Sequence, residues 1–156
     1  MRDKPLILIV DDQATVVRIM ASILQSRYDL SVATDGKTAL KLAKEKQPDL
    51  ILLDMMMPGM SGIEVCEALQ ADPETRSIPV IFVTSMGDKH NEEVGLKVGA
   101  VDYITKPASP SIVRTRVNIH LAQHSQLQFI EKLASREITD LDEIRHQALR
   151  LLNDAP

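Results

Sequence analysis

The chain has 156 residues, of which 44% are hydrophobic and 26% are charged, and this predicts one sizeable core with at most a small appendage. Its 22 acidic residues outnumber its 18 basic ones, giving a net charge of −4, and because no basic run stands out we expect no direct nucleic-acid binding. The apolar runs are far shorter than the roughly 18 residues that span a bilayer, and the first residues do not resemble a signal peptide. We therefore expect no membrane association and a cytoplasmic location.

Five short apolar segments predict β-strands. In chain order they are "PLILIV" (5–10), "LSVAT" (30–34), "LILL" (50–53), "PVIFV" (79–83) and "VDYIT" (101–105). The first, third and fourth are almost continuously apolar, which is typical of strands covered on both faces.

Helical patterns lie between these strands. Apolar residues recur at spacings of three and four in three stripes, which are Val16, Val17, Met20, Ile23 and Leu24, then Ala39, Leu40 and Ala43, then Ile63, Cys66 and Leu69. A fourth helix is predicted over about 88–98, although Gly95 lies inside it and the alternation of Val94, Leu96 and Val98 also fits a strand. Alternating strands and helices predict a doubly wound α/β fold with a parallel sheet and right-handed crossovers. Cys66, the single cysteine, is interpreted as a small core residue.

Polar side chains follow four of the predicted strands where each strand ends. The carboxyl ends of parallel strands form one edge, where ligands bind in open α/β sheets. The residues expected at this edge are Asp11, Asp12, Asp54, Thr84, Ser85, Thr105 and Lys106, followed by Pro107. Singly, each fits an ordinary role, such as Asp12 as a helix cap, Thr84 as a strand-end hydroxyl, or Lys106-Pro107 as an exposed turn.

Three clustered carboxylates change this interpretation. Like charges repel one another unless a cation lies among them, and Mg²⁺ prefers hard oxygen ligands. A lysine, a hydroxyl and a carboxylate-bound Mg²⁺ are the groups needed to hold a phosphoryl group. An aspartate can also act as the nucleophile and form an aspartyl phosphate.

Four segments in order, "LILIVDD", "LILLDMMMPGMSG", "VIFVTS" and "DYITKP", resemble the motifs of the response-regulator receiver domain of two-component signalling. The resemblance covers about residues 5 to 122. It implies the flavodoxin-like strand order 2-1-3-4-5, with a receiver domain over residues 1–122 and a helical extension over 123–156.

The resemblance also implies the chemistry. Asp54 is expected to accept a phosphoryl group from a sensor histidine kinase or a phosphotransfer protein, so the domain catalyses only its own phosphorylation and dephosphorylation. Asp12, Asp54 and the Met56 carbonyl are expected to ligate Mg²⁺ directly, and Asp11 mainly through water. Lys106 is expected to contact the acyl phosphate and to precede a cis bond to Pro107.

A conformational switch is implied as well. Thr84 is expected to move toward the phosphoryl group and to vacate space that the Tyr103 ring fills from the surface, while Ser85 leaves room for the phosphoryl oxygens. This movement would change the face formed by the fourth helix, fifth strand and fifth helix. Met56 and Met86 are expected either to shield the phosphoryl group from water or to turn outward.

Two other classes share parts of this pattern. A haloacid-dehalogenase-like phosphatase also forms an aspartyl phosphate, but it needs a second acid where this chain has Gln13. A flavodoxin-like flavin carrier binds phosphate through a hydroxyl-rich loop after the first strand, whereas this chain has "VDDQATVV" there.

The C-terminal segment has no proline or glycine between Pro110 and Pro156, which predicts a fifth helix of about forty residues. A heptad pattern within it favours a coiled coil and a parallel homodimer, with Glu137 as the one polar residue of the seam. The seam residues are Leu127, Ile130, Ala134, Leu141, Ile144, Ala148 and Leu151. The alternatives are a helix folded back on its own domain and a helix left exposed.

Two further patterns bear on this segment. "KPASPSIVRTRVNIHLAQ" resembles the junction in regulators that continue into cyclic di-GMP phosphodiesterase or cyclase domains. The four histidines, His90, His120, His124 and His146, have no matched acids in the sequence and are expected on the surface.

Overall fold

The fold is an open parallel sheet flanked by helices. A computed structural model describes residues 2–85 and 89–155. The strands are β1 (Leu6–Val10), β2 (Asp29–Ala33), β3 (Leu50–Leu53), β4 (Val80–Ser85) and β5 (Asp102–Lys106). They pair in parallel in the order β2-β1-β3-β4-β5. The predicted strands and their order are confirmed.

Six helices accompany the sheet in the described residues. They are α1 (Ala14–Leu24), α2 (Gly36–Lys46), α3 (Gly62–Ala71), α4 (Lys89–Lys97), α5 (Pro110–Ala134) and α6 (Leu141–Asn153). Residues from α2 and α3 form a core with one face of the sheet, and residues from α1 and α5 form a second core with the other. Both faces of the sheet are therefore covered, which explains the continuous apolar strands.

Local sequence explains where several helices begin. Asp35 caps α2 by accepting a hydrogen bond from the Thr38 N–H, and Ser61 and Glu64 form a reciprocal capping box at the start of α3. Cys66 of α3 is fully buried, as predicted, and burial raises the pKa of its thiol to about 11.

The ambiguous pattern of α4 has a packing explanation. A Cβ at Gly95 would lie 2.9 Å from the Phe82 ring and 3.1 Å from the Met55 methyl group. Glycine therefore allows α4 to pack closely against the sheet, and the helical prediction is confirmed despite the low helix propensity of glycine.

The prediction of one continuous C-terminal helix is wrong. Helix α5 ends at Ala134 and α6 begins at Leu141. Arg136, between them, has a left-handed φ of 58°. Helix α6 packs against α5, and Ser125 lines the same cavity as Leu151 and Asp154, so α6 runs back along α5. The structure thus has the fold-back that the sequence left as an alternative.

Within the described residues, no helix combines the length and apolar character needed to cross a membrane.

Candidate functional site

The site lies at the carboxyl ends of β1, β3, β4 and β5. Asp54 follows β3, and its backbone N–H donates to the Val10 carbonyl of β1 at 2.8 Å. On the other side, Ser85 of β4 aligns with Lys106 of β5. The sheet register therefore places the predicted residues along one edge.

The three predicted carboxylates come together. Asp11, Asp12 and Asp54 each offer an oxygen, and these oxygens all lie within 4.8 Å of one another. Asp11 and Asp54 are buried, whereas Asp12 is exposed. Asp12 is not the helix cap considered from sequence, since α1 has Gln13 at its N-cap position and no side-chain capping bond.

Lys106 provides the positive charge of the site. Its Nζ donates to Asp11 Oδ2 at 2.7 Å and lies 3.5 Å from Asp54 Oδ1. The bond to Pro107 is cis, as predicted. The side chain of Lys106 is only 15% exposed, so Lys106 points into the site although Pro107 is exposed.

Asp54 is electrostatically strained in its ionised form. Burial raises the pKa of the Asp54 carboxyl above its ordinary value, and the neighbouring Asp11 charge raises it further. Lys106 and the Met56 N–H act in the opposite direction without cancelling these effects. A cation next to Asp54 would therefore favour the carboxylate form.

The donor set fits Mg²⁺. All three side chains supply hard oxygens, and three clustered carboxylates, two of them buried, require positive charge nearby. Both Asp11 oxygens are already engaged, by Lys106 and by the Gln13 N–H at 2.9 Å. Asp12 and Asp54 therefore have the freer oxygens for direct ligation, while the role of the Met56 carbonyl stays a prediction.

Gly62, at the start of α3, positions the segment that carries Asp54. A Cβ at Gly62 would lie 2.1 Å from the Asp54 carbonyl oxygen and 2.8 Å from the Met55 Cα. The Gly62 N–H also donates to the Met55 carbonyl at 2.9 Å. The requirement for glycine at this position is set by a backbone contact, which residue spacing in the sequence does not reveal.

Thr84 and Tyr103 lie on the neighbouring strands β4 and β5. Thr84 is buried, and Tyr103 aligns with Phe82. The Tyr103 hydroxyl is buried and, among the described residues, has no hydrogen-bond partner. The Tyr103 ring is half-buried and packs against the core that contains Phe82, and its movement from the surface on phosphorylation stays a prediction.

An ion cluster joins β5 to α5. Arg116 Nη1 donates to Asp102 Oδ1 at 2.6 Å, and His120 Nε2 lies 2.8 Å from Asp102 Oδ2. Burial alone would raise the pKa of Asp102, but the bonds from Arg116 and His120 outweigh it and hold this pKa below its usual value.

The predicted surface positions of the histidines are only partly correct. His120 is half-buried and does have an acidic partner, and His124 is buried on the face of α5 that packs against the domain, whereas His146 is exposed. Burial lowers the pKa of the His124 imidazole, although Asp49 and Glu131 act against this. The side chain of His90 lies outside the described part of the chain.

Of the two methionines expected beside the phosphoryl site, the structure describes Met56. The Met56 side chain is 71% exposed, so it turns outward and does not crowd the Asp54 carboxylate. Met86 lies outside the described residues.

Comparison with known proteins gives the family. Residues 7–118 match the model of the response regulator receiver domain. The chain belongs to this family. Membership sets aside the phosphatase and flavin-carrier alternatives, and it agrees with the motifs quoted above.

Several relatives carry additional length. The chain is 36% identical over 146 residues to a probable cyclic di-GMP phosphodiesterase of Vibrio cholerae, covering 89% of this chain and 33% of that protein. It is 45% identical over 112 residues to the response regulator PleD of Caulobacter vibrioides, covering 71% and 25%. The DNA-binding response regulator MtrA of Mycobacterium leprae is 37% identical over 145 residues, covering 92% and 62%. The chain thus spans less than two thirds of the length of each.

This chain matches nearly the full length of solved receiver structures. The receiver domain of Francisella response regulator 1452 has a TM-score of 0.71 at 33% identity, covering 77% of this chain and 98% of that one. A CheY-like receiver domain protein from Methanospirillum hungatei has a TM-score of 0.74 at 26% identity, covering 80% and 98%.

Proposed function

We propose that Asp54 accepts a phosphoryl group from a sensor histidine kinase or a phosphotransfer protein in a Mg²⁺-dependent reaction. The observation that carries the proposal is the juxtaposition of Lys106 with buried Asp11 and Asp54, beside a third carboxylate, at the ligand-binding edge of the sheet. The catalytic residues are then Asp54, Lys106 and Thr84, with Asp11 and Asp12 at the metal.

In this reaction an Asp54 carboxylate oxygen attacks the phosphorus of a phosphohistidine. The new O–P bond forms as the P–N bond breaks, and the electron pair of that bond leaves on the imidazole nitrogen, which takes up a proton from solvent. Lys106 Nζ donates to a phosphoryl oxygen, and the Thr84 hydroxyl donates to another. Bound Mg²⁺ supplies charge neutralisation next to these oxygens.

The proposed response uses Thr84, Tyr103 and the face of α4, β5 and α5. An added phosphoryl group brings about −1.5 to −2 charge and strong acceptor oxygens, which favour a movement of the Thr84 hydroxyl toward Asp54. The Tyr103 hydroxyl makes no hydrogen bond among the described residues. No such bond would therefore have to break when the Tyr103 ring moves, which supports its role in the switch.

We assign two further features to the same proposal. The heptad seam over residues 127 to 151 supports a homodimer. The match to the Vibrio cholerae relative covers 89% of this chain and so extends beyond the receiver, and together with the junction "KPASPSIVRTRVNIHLAQ" it supports an output that acts in cyclic di-GMP turnover. The match to MtrA covers 92%, so a DNA-binding output is the alternative. An Asp54→Asn allele in the native host is expected to change cyclic di-GMP levels, and unchanged levels would argue against this output.

The direct test is phosphoryl uptake from acetyl phosphate with Mg²⁺, followed by intact-mass measurement. Wild type is expected to gain one phosphoryl group and Asp54→Asn none. Asp12→Asn is expected to weaken Mg²⁺ binding in a titration. Asp29→Asn, an exposed residue at the opposite end of the sheet, is the matched control and should behave as wild type. Equal uptake by Asp54→Asn would refute the assignment.

A further inference from the structure

The turn between α5 and α6 divides a heptad seam that the sequence carries without interruption. The spacing between successive seam residues alternates between three and four from the first to the last. The heptad register is therefore unbroken across the turn. The eight positions are Leu127, Ile130, Ala134, Glu137, Leu141, Ile144, Ala148 and Leu151. A continuous helix would place all of them on one stripe, as in a two-stranded coiled coil.

The hairpin leaves five of the eight seam positions exposed. In α5, Leu127 is 59% exposed and Ile130 is 58% exposed, and Leu141 at the start of α6 is 81% exposed. The later seam residues of α6, Ile144, Ala148 and Leu151, are half-buried because α6 folds back along α5. These three residues cannot be covered in this way and also pair with a second chain.

The turn is held by hydrogen bonds at the end of α5 and by Asp140, whose side chain accepts from the Asp142 and Glu143 N–H groups at the start of α6. The Glu137 N–H donates to the Lys132 carbonyl at 3.1 Å and the Arg136 N–H to the Leu133 carbonyl at 3.3 Å, which is the Schellman arrangement of a helix end. This arrangement favours glycine at the left-handed position, but here Arg136 occupies it with a φ of 58°. Buried Ile138 is the apolar anchor of the turn.

One oppositely charged pair beside the seam fits a parallel pair of identical helices. In this register Asp140 lies at a g position and Arg145 at the following e position, which face each other between chains of a parallel dimer. Leu133 and Ile138, which are apolar, occupy the preceding g and e positions. Glu137 opposes this state, because it would face the same residue of the second chain at a core position.

We infer that residues 123–155 exchange between two states, a closed α5–α6 hairpin and an open continuous helix that pairs in parallel with a second copy of this chain. This inference rests on the homodimer in the proposed function and adds that the dimer requires α6 to leave α5. Glu137 and Arg136 set the balance. Glu137 opposes the open dimer, whereas the left-handed conformation of Arg136 opposes the closed hairpin.

Two substitutions test this balance. Glu137→Leu removes the opposing charge from the seam and is expected to tighten dimerisation at least tenfold, as measured by analytical ultracentrifugation. Arg136→Gly relieves the left-handed residue in the turn and is expected to favour the monomer. Glu143→Leu adds the same apolar side chain at an exposed position outside the seam and should match wild type.

A distance measurement distinguishes the two states. Spin labels on Ser125→Cys and Asp154→Cys are expected to be close in the hairpin, since both residues line one cavity. In a continuous helix they would be about 44 Å apart, at about 1.5 Å per residue. The native Cys66 is fully buried and is left unlabelled. Dilution with unlabelled protein removes distances between chains.

The inference is supported if Glu137→Leu is a dimer with the long distance while Arg136→Gly keeps the short one. It is overturned if Glu137→Leu stays monomeric, if its dimer keeps the short distance, or if Glu143→Leu associates equally well. Phosphoryl uptake is measured on the same proteins. Absence of uptake in wild type would refute the phosphoacceptor proposal and leave the result on the helices standing.

Discussion

Gly62→Ala tests whether the backbone contact under Asp54 determines the rate of phosphoryl transfer. The added Cβ would lie 2.1 Å from the Asp54 carbonyl oxygen, whereas close carbon–oxygen contacts are about 3.3 Å. The two segments would therefore separate by about 1 Å. Neither atom belongs to a flexible side chain, so the displacement has to pass into the backbone that carries the Asp54 carboxylate.

The expected magnitude follows from this displacement. A misplacement of about 1 Å at a reacting group costs about 100-fold in rate, and overpacking of this kind costs about 1 to 3 kcal/mol in the free energy of unfolding. We expect Gly62→Ala to take up phosphoryl from acetyl phosphate about 100-fold more slowly than wild type while remaining folded. The assay is intact-mass measurement over time, with urea unfolding of the same sample.

Gly59→Ala provides the matched control. Gly59 has a φ of 75°, but a Cβ there would have no atom within 4 Å. Alanine at this position should therefore lose about 1 to 2 kcal/mol through its left-handed backbone and keep a nearly normal rate of uptake. If Gly62→Ala reacts within twofold of wild type, or if both variants slow equally, the positioning argument is wrong.

Two further predictions concern buried polar groups. Tyr103→Phe removes a buried hydroxyl that has no partner among the described residues, so we expect urea unfolding to show unchanged or slightly higher stability, by up to about 1 kcal/mol; a clear loss would mean that the hydroxyl is bonded. Because burial lowers the pKa of His124 below the ordinary histidine value of 6.5, the unfolded chain binds the proton more readily, and stability should fall as the pH drops below 6.5. His124→Gln should flatten that slope, by at most about 1.4 kcal/mol per pH unit, and an unchanged slope would exclude this histidine as its source.

The sequence was sufficient for the sheet because burial on two faces leaves a simple signature. The segment "LILL" at 50–53 has the same bounds as β3, since a strand covered on both sides needs apolar residues at every position. The parallel arrangement then brings the residues after each strand to one edge. Asp11, Asp54 and Lys106 can therefore be placed at one site from the sequence alone.

Contacts between residues that are far apart in the chain could not be predicted from the sequence. The sequence predicts His120 on the surface. Its partner Asp102 lies 18 positions earlier in the chain, and the pair forms only when α5 packs beside β5. The role of Gly62 depends on a contact with the Asp54 carbonyl, and glycine after a serine is also an ordinary start of a helix. In both cases the deciding atom belongs to another element.

The helical turn was missed for a different reason. Residues 135 to 140 contain no proline or glycine, so the usual signals that end a helix were absent. The turn instead uses Arg136 in a conformation that few arginines adopt, and it buries Ile138. A heptad pattern describes which side chains share a face, but it does not determine whether a neighbouring chain or the same chain covers them.

The charges at the site give an independent argument for the proposed dependence on Mg²⁺. Three carboxylates and one ammonium leave a formal charge of about −2 when all the acids are ionised. Lys106 is closer to Asp11, at 2.7 Å, than to Asp54, at 3.5 Å, so it neutralises the nucleophile only in part, in agreement with the raised pKa of Asp54. An incoming phosphoryl group adds further negative charge to the same few ångströms. In the described residues, Lys106 is the one positive charge within salt-bridge distance of Asp11 and Asp54. This single charge does not neutralise the three carboxylates. Without a divalent cation the site would therefore repel its negatively charged substrate.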